Sequence, residues 1–275
     1  MPSQFDYRAV LSLTEQYDVE SGDYLDYWAP VLHPVACRLL EELPEHTVER
    51  ALDVGAGVGL LLPAIQKKYR RAAVFGVDRS EGMLALADPG ASVAVADAVS
   101  LGFQSQVFDL AVMAFMLFHL PNPEVGLTEA RRVLRPGGVL AVTTWADDLE
   151  SPAVQIWNEE LDAHGAVPGE SLGRIARHEL MDSPEKVLGL LESTGFVSAR
   201  AEVQQFAHRM EQDDFIGLRK GVGGNRQRLE SLDEDTRRQC VARARDRLSK
   251  LTAEDFTLRF PIFLASAKSP QDDDR

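Results

Sequence analysis

The sequence is poor in cysteine, with Cys37 and Cys240 as the only two among its 275 residues. Two cysteines provide neither a disulfide framework nor the ligand spacing of a zinc site, and no pair of histidines has metal-binding spacing. Basic residues are also in the minority, since 29 Lys and Arg stand against 43 Asp and Glu and leave a formal net charge of −14. A field of this sign opposes binding to nucleic acid. We therefore predict no metal and no nucleic-acid partner.

Long apolar runs are missing as well. None approaches the roughly 20 residues that are needed to span a bilayer. The first residues lack a basic region followed by an apolar stretch, so we predict no cleaved secretory signal and expect a soluble cytoplasmic protein. Apolar residues make up 45% of the chain and charged residues 26%, which is typical of a folded globular protein. The length suits one large α/β domain with inserted elements, or two small domains.

The centre of the sequence alternates short apolar runs with segments of helical character. Connections of this kind favour parallel strands, and right-handed crossovers then place helices on both faces of an open sheet. We therefore predict a doubly wound α/β fold, in which ligands bind at the carboxyl ends of the strands. The predicted strands are 51–54, 73–77, 93–96, 108–114 and 139–145, and the predicted helices are 60–69, a segment through 83–86 that Ser80 caps, and 129–134.

The flanking segments are less regular. Residues 16–43 are predicted to be mostly helical, and 147–182 form a connection with helical pieces around 154–161. The remaining predicted elements are a helix at 184–193, a strand at 197–206, an arginine-rich and largely helical segment at 213–251, and a last strand at 257–267. The arginine-rich segment has two interpretations: a docking site for an anionic substrate or acyl carrier, or solvated helices whose arginines pair with nearby acidic residues.

Three glycines at alternating positions, Gly55, Gly57 and Gly59, follow the first predicted strand. Glycine lets the backbone approach a ligand and adopt a positive φ. Their spacing is shorter than in the dinucleotide-binding fingerprint, and no Lys-Ser or Lys-Thr pair follows as in a phosphate loop. Asp53 precedes the glycines, and its carboxylate suits a cationic ligand better than a pyrophosphate.

Acidic residues also end the second and third predicted strands, at Asp78 and Asp97. With the glycines they form a pattern that resembles the class I S-adenosylmethionine-dependent methyltransferases, especially the small-molecule branch that includes ubiquinone and menaquinone methyltransferases. The resemblance extends from Arg50 to Trp145. It is carried by the segments Ala51–Gly59, Val77–Ser80, Ala96–Ala98, Phe108–Leu110 and Arg132–Gly138.

The resemblance implies a Rossmann-like, mostly parallel sheet of seven strands with an antiparallel last strand, together with helical lid insertions. It also implies a division of the chain. The predicted parts are an N-terminal helical cap at 1–46, a core that binds S-adenosylmethionine at 47–146, a completion of the sheet with substrate-lid helices at 147–268, and a disordered tail at 269–275.

The resemblance further implies S-adenosylmethionine as the cofactor and S-adenosylhomocysteine as the product. Asp53 would contact the ammonium end of the cofactor, Asp78 both ribose hydroxyls, and Asp97 the adenine amino group. The other predicted cofactor-binding residues are Tyr17, Gly55, Gly57, Gly59, Arg79, Met83, Ala98 and Ala114. Each carboxylate also has a structural explanation as the cap of a turn or helix, and Met83 has one as core packing.

Aromatic residues near the predicted strand ends indicate a partly apolar pocket that accepts an aromatic molecule. The predicted substrate-binding residues are Tyr24, Trp28, Phe115, Phe118, Trp145 and Trp157. Ordinary core packing is the alternative for this set. His119 is the candidate catalytic residue, because an imidazole that titrates near pH ~6.5 can deprotonate an incoming hydroxyl. Its alternative is a structural histidine that hydrogen-bonds a loop.

The predicted reaction is an in-line displacement in which an oxygen, nitrogen or activated carbon of a small-molecule acceptor attacks the sulfonium methyl group. Because the donor is already activated, the protein chiefly aligns the reactants and excludes water, and a catalytic base is not obligatory. Two alternatives stay open: a cyclase or decarboxylase that uses the cofactor structurally, and a noncatalytic cofactor-binding subunit of a larger assembly. We make no prediction of the oligomeric state.

Overall fold

The computed structural model describes residues 4–146, 151–168 and 180–271. The strands are β1 (Arg50–Val54), β2 (Ala73–Asp78), β3 (Ser92–Val95), β4 (Phe108–Ala114), β5 (Leu134–Trp145), β6 (Val197–Arg209) and β7 (Thr257–Lys268). The helices are α1 (Gln4–Asp23), α2 (Ala29–Glu41), α3 (Leu61–Lys68), α4 (Glu81–Leu84), α5 (Pro123–Val133), α6 (Pro152–Ala163), α7 (Pro184–Ser193), α8 (Gln212–Gly221), α9 (Gly223–Glu230) and α10 (Glu234–Leu248). A π-helical turn (Tyr24–Trp28) joins α1 to α2, and 3₁₀ turns cover Leu117–His119 and Ala253–Phe256.

Seven strands form one sheet in the order β3-β2-β1-β4-β5-β7-β6. The first five strands pair in parallel, whereas β7 runs antiparallel to both of its neighbours. Strand β4 is almost entirely buried, as expected for a parallel strand that helices cover on both faces. The sheet confirms the predicted doubly wound fold with an antiparallel last strand.

Helices α1 and α5 and strand β5 begin several residues earlier than the sequence predicts, and α1 starts at Gln4 rather than at residue 16. Helix α5 starts at Pro123 rather than at residue 129, because the Asn122 side chain accepts a hydrogen bond from Glu124 N at 3.0 Å and Pro123 suits a first turn. Strand β5 starts at Leu134, which pairs with Phe108 before the chain turns through Gly137 at a φ of 75°. The turn predicted there therefore lies inside β5.

The N-terminal helices pack on the carboxyl ends of the strands. The π-helical turn inserts one extra residue per turn in the middle of the predicted helical segment 16–43. Helix α8 packs directly on this turn, and a Cβ built at Gly217 would lie 2.5 Å from the Tyr27 ring. Only glycine at this position allows the close approach of the two helices.

The C-terminal helices form a layer of their own. Helix α6 follows β5, and α8, α9 and α10 lie between β6 and β7, where the sequence predicts lid insertions. Glu160 of α6 is 2% exposed, and Arg247 of α10 donates a hydrogen bond to it at 2.8 Å. Because breaking a buried ion pair leaves a charge without compensation, this contact fixes α6 against α10.

Arginines of the segment 213–251 pair with acidic residues. The ion pairs are Arg226–Glu230, Arg228–Asp162, Arg238–Glu234, Arg245–Asp213 and Arg247–Glu159. This pattern agrees with the interpretation as solvated helices with acidic partners.

Two predicted segments lie partly outside the described residues, namely the connection 147–182 and the tail 269–275. Ser269, the first residue of that tail, exchanges backbone hydrogen bonds with Gly137 and Gly138 at 3.0 and 2.8 Å. Among the described residues, no helix combines the length and the hydropathy that crossing a membrane requires.

Candidate functional site

The glycine turn after β1 adopts the conformation that its sequence predicts. Gly55, Gly57 and Gly59 have φ angles of 76°, 54° and 77°. The amides of Gly55 and Ala56 donate hydrogen bonds to Val77 O at 2.8 and 2.9 Å and tie the turn to the end of β2. A Cβ built at Gly55 would lie 2.7 Å from Met116 Cβ, so both the space and the backbone conformation require glycine.

Asp78 stands at the end of β2 and faces this turn. Its Oδ2 accepts a hydrogen bond from Gly57 N at 2.8 Å, and its Oδ1 accepts one from Ser80 N at 2.9 Å. Burial raises the pKa of Asp78, and these backbone donors oppose that rise. Each carboxylate oxygen has two lone pairs, so the fixed carboxylate keeps acceptor capacity for a pair of hydroxyl groups.

Asp53 lies beneath the glycine turn and is 2% exposed. Burial raises its pKa to about 7, and the nearby charge of Asp78 adds to the rise. The carboxyl group is therefore close to half-protonated at neutral pH. A cation placed beside it would restore full ionisation, because an opposite charge favours the charged form.

A cleft opens at the carboxyl ends of the central strands, under helix α1. Its empty space, which includes the solvent at its mouth, amounts to about 770 Å³. The predicted cofactor residues that line it are Tyr17, Gly55, Gly57, Asp78, Arg79, Met83, Ala98 and Ala114. The cleft thus brings together residues 55–114 of the predicted cofactor-binding core and Tyr17 of the predicted N-terminal cap.

Asp97 and Gly59 contact the cleft only indirectly. Asp97 forms an ion pair with Arg79 at 2.6 Å and accepts a hydrogen bond from Val99 N at 3.1 Å. Its neighbours Ala96 and Ala98 line the cleft instead. Gly59 packs on Ala87 and shapes the turn. The contact of Asp97 with an adenine amino group therefore stays a prediction.

Several lining residues were not predicted from the sequence. Leu13 and Thr14 of α1, together with Met116 and Leu120 after β4, complete the walls. Leu13 and Tyr17 are four residues apart and therefore share one face of a helix. This spacing is the signal from which Leu13 could have been predicted as a lining residue.

Helix α1 is fixed over the cleft by Asp18. The Asp18 carboxylate accepts hydrogen bonds from Ser80 Oγ at 2.5 Å and from Gly82 N at 2.9 Å. Ser80 in turn caps α4 by accepting a hydrogen bond from Met83 N. A single carboxylate thereby joins the N-terminal helix to the segment that presents Asp78 and Met83.

His119 reaches the cleft from the 3₁₀ turn after β4. Its Nε2 is hydrogen-bonded to the Tyr17 hydroxyl at 2.9 Å, and the Tyr17 ring also meets Tyr24 edge-on at 6.1 Å. Burial raises the pKa of the Tyr17 hydroxyl far above its ordinary value, so the phenol is neutral. The hydrogen bond between Tyr17 and His119 holds the imidazole in the cleft wall. This position is compatible with both interpretations of His119, the structural and the catalytic one.

The predicted substrate aromatics divide into two groups. Tyr24 and Phe115 line the cleft, and Trp145 packs on Phe115 with ring centroids 4.8 Å apart. Trp28 stacks on the other side of Trp145 at 5.7 Å, with 15° between the ring planes. Trp28, Trp145 and Phe115 thus form a series of ring contacts, and Tyr24 and Phe115 are the members of this predicted set that line the cleft.

Phe118 and Trp157 lie elsewhere. Phe118 is buried in the core beside His119. Trp157 is 1% exposed and meets Phe215 edge-on at 6.4 Å, inside the C-terminal helical layer. For these two residues the structure has the arrangement expected of core packing.

A second cavity of about 470 Å³ adjoins the cleft on the far side of the glycine turn. Asp53 and His33 line it, together with residues of α2 and of the start of α3. No group of His, Cys, Asp and Glu side chains within the described ranges is arranged to hold a metal ion.

Comparison with known proteins agrees with this geometry. Residues 52–142 match the family described as a methyltransferase domain. Aklanonic acid methyltransferase DauC of Streptomyces sp. strain C5 is 30% identical over 141 residues, which cover 48% of this chain and 64% of that protein. Malonyl-[acyl-carrier protein] O-methyltransferase of Geobacter sulfurreducens is 37% identical over 135 residues, which cover 46% and 50%. The matched part thus spans between half and two thirds of the length of these curated relatives.

The fold also recurs in a solved structure. The YcgJ protein from Bacillus subtilis has a TM-score of 0.56 at 16% identity, with 87% of this chain and 100% of that chain covered. The match of residues 52–142 to a methyltransferase domain and the order of the sheet agree with the predicted family, the class I S-adenosylmethionine-dependent methyltransferases.

The residues fit the cofactor of that family. Asp53 offers a buried carboxylate to an ammonium group, and Asp78 offers a fixed carboxylate to a ribose diol. The glycine turn leaves room that a Cβ at Gly57 would restrict, since it would lie 3.2 Å from the Met83 methyl carbon. S-adenosylmethionine, which the sequence predicts as cofactor, carries both an ammonium group and a ribose diol and therefore matches these two carboxylates.

Proposed function

We propose that this protein transfers a methyl group from S-adenosylmethionine to a small molecule with an apolar or aromatic portion. The observation that carries the proposal is the fixed Asp78 carboxylate in a cleft that aromatic rings also line. A carboxylate with spare acceptor capacity suits a nucleoside diol, and the rings of Tyr24 and Phe115 suit a flat apolar acceptor.

The roles of the protein follow from the lining of the cleft. When bound, S-adenosylmethionine supplies a methyl group that is activated by a positively charged sulfur. Asp78 accepts hydrogen bonds from the ribose hydroxyls, Asp53 pairs with the ammonium group on the other side of the glycine turn, and Met83 packs beside Gly57. Tyr17 and Tyr24 cover the cleft from α1 and the π-helical turn. Their neutral rings exclude water and face a cation favourably.

His119 is the proposed proton acceptor for an acceptor molecule that carries a hydroxyl group. It lines the cleft, and Tyr17 fixes the orientation of its ring through the 2.9 Å hydrogen bond. Tyr17 acts here as a positioning residue. An acceptor that attacks through an amine or an activated carbon needs less help of this kind.

Two further parts belong to the proposal. The relatives are named for aklanonic acid and for malonyl-[acyl-carrier protein], so organic acids belong among the acceptors to be tested.

The helices of 147–268 act as the lid over the acceptor. A cytoplasmic location and the lack of a nucleic-acid partner are kept as predictions.

The test supplies the protein with methyl-labelled S-adenosylmethionine and a small-molecule extract of its host cell. We expect label in one or a few small organic molecules, and we expect no transfer by the Asp78→Ala variant. The exposed Asp88→Ala variant, which leaves the cleft intact, serves as the matched control. Tight cofactor binding without any transfer would contradict the proposal and favour a noncatalytic or cyclase role.

A further inference from the structure

Arg219 of helix α8 differs from the paired arginines of the segment 213–251. It is 7% exposed, and its Nε and Nη2 atoms are buried without a hydrogen-bond partner. Burial lowers the pKa of Arg219 to about 10, so the guanidinium group still carries its charge at neutral pH. An isolated buried charge is unfavourable, and the described residues supply no partner for these two atoms.

The Phe215 ring fixes the position of this guanidinium group. Phe215 lies one helical turn before Arg219 on α8, and the Cζ atom of Arg219 is 5.0 Å from the centre of the ring. The ring attracts the positive charge through a cation–π contact. It offers no oxygen to the N–H groups, so the guanidinium group is held in place while its donors stay available.

The two unpartnered atoms of Arg219 lie on one edge of the guanidinium group. Nε and Nη2 donate in nearly parallel directions, and the two oxygens of a carboxylate accept such a pair of hydrogen bonds. One carboxylate therefore satisfies both donors and neutralises the charge. A neutral amide has one carbonyl oxygen and no charge, so it matches this edge less well.

A further unpartnered donor lies on the neighbouring helix α6. Trp157 is 1% exposed, and its Nε1 atom is also buried without a hydrogen-bond partner. The Trp157 ring meets the Phe215 ring edge-on at 6.4 Å, so Trp157 and Arg219 contact the same side chain. Both unpartnered side chains around Phe215 are hydrogen-bond donors, which favours an anionic acceptor as their ligand.

We propose that Arg219, with Trp157 as an additional donor, forms a binding site for a carboxylate beside Phe215, where α8 meets α6. The residues that line the cofactor cleft come from other parts of the chain. Helix α8 nevertheless packs on the π-helical turn whose Tyr24 lines that cleft. The carboxylate belongs to the methyl acceptor or to a separate small organic acid. The binding chemistry is the same for both sources, and it does not depend on methyl transfer.

Differential scanning calorimetry with acetate tests the site, while sodium chloride keeps the ionic strength constant. A ligand that binds the folded protein raises its unfolding temperature. We expect a saturable rise with acetate and none with acetamide, its neutral analogue. In Arg219→Met, which keeps an apolar chain beside Phe215 but has no charge, the dissociation constant for acetate should rise at least tenfold. Trp157→Phe keeps a ring but loses the N–H donor, so its loss should be smaller.

The unfolding temperature without acetate distinguishes a binding role from a structural one. Arg219→Met removes an uncompensated buried charge, so it should unfold at a temperature no lower than that of the unmodified protein. Lys220→Met, at the exposed position next to Arg219, is the matched control and should respond to acetate as the unmodified protein does. An acetate response that Arg219→Met retains in full, or that acetamide reproduces, overturns the proposal.

Methyl transfer distinguishes the two sources of the carboxylate. Arg219→Met is tested with methyl-labelled S-adenosylmethionine and the small-molecule extract. Labelling of a carboxylate-bearing product that falls at least tenfold, together with weakened acetate binding, assigns the site to the acceptor. Unchanged labelling with weakened acetate binding assigns it to a separate organic acid. Absence of transfer by the unmodified protein would contradict the proposed function and leave the acetate result in force.

Discussion

At the scale of single residues, Asp53 and Asp78 differ in how the protein stabilises their negative charge. Asp78 is held by two backbone donors and needs no ligand to fix its orientation. Asp53 is buried more deeply, and its pKa of about 7 means that the ligand-free protein tolerates its charge poorly. In the proposed function, a cation beside Asp53 would complete the ionisation of this carboxyl group.

This difference predicts a pH dependence for cofactor binding. An ammonium ligand binds the ionised form of Asp53, so below about pH 7 binding must release a proton from that carboxyl group. The affinity for S-adenosylhomocysteine should rise as the pH increases from 6 to 7.5 and then level off. Calorimetry in buffers of different ionisation enthalpy measures both the affinity and the released proton.

Asp53→Asn supplies the control for that experiment. The amide cannot ionise, so the rise in affinity between pH 6 and 7.5 should flatten and the binding should be weaker throughout. A variant that retains the full pH dependence would assign the titration to another group of the site.

The acidic residues and glycines of the site could be predicted from the sequence, whereas the side chains that contact them could not. An acidic residue at or near the end of each of the first three strands and a glycine where φ must be positive are signals that a few residues carry on their own. The ion pair of Asp97 with Arg79 depends instead on the direction of two side chains, which no spacing reveals. By contrast, Leu13 and Thr14 could have been predicted, because they lie about one helical turn before Tyr17 on the same helix.

Helix α1 is the element that closes the site, and Asp18 joins it to α4. Since the carboxylate accepts two hydrogen bonds at the start of α4, it acts as an N-terminal cap supplied from a distant part of the chain. The position of Tyr17 over the cleft depends on this contact, because Tyr17 is the preceding residue of the same helix.

Asp18→Ala should therefore loosen α1 as well as α4. We expect a loss of about 1 kcal/mol in the free energy of unfolding, as for other lost helix caps. Hydrogen–deuterium exchange should become faster in α1 and α4, and the affinity for S-adenosylhomocysteine should fall. Glu15→Ala, at an exposed position of the same helix, should change none of these quantities. Unchanged exchange in α1 of Asp18→Ala would show that other contacts hold the helix.

The elements themselves were predicted well where hydrophobic patterning is strong. Strand β4 and helix α7 have the predicted bounds, because each is a short periodic segment between clear breakers. Helix α5 was predicted too short, although Asn122 and Pro123 carry a capping signal. The π-helical turn was not predicted, and its Tyr27 packs closely against Gly217 of α8.

At the scale of the whole molecule, the sheet order depends on pairings between distant strands. Strand β7 inserts between β5 and β6, and no periodicity within the sequence indicates that insertion. The antiparallel last strand was expected only through the resemblance to the methyltransferases, and the strand order itself was not predicted. Likewise, α6 packs on α10 through the buried Glu160 and its hydrogen bond with Arg247. The sequence does not indicate this burial, because Glu160 lies in a helix with several charged residues. The fold thus places Asp78 at the carboxyl end of β2 in a cleft that residues of helix α1 also line.

The most direct test of this arrangement is a calorimetric titration of the protein and its Asp78→Ala variant with S-adenosylhomocysteine. The structure predicts saturable binding by the unmodified protein and an affinity at least tenfold weaker in the variant, because two ribose hydroxyls lose their acceptors. Asp88→Ala should bind as the unmodified protein does. Equal affinity of Asp78→Ala and the unmodified protein would contradict the placement of the nucleoside at the end of β2.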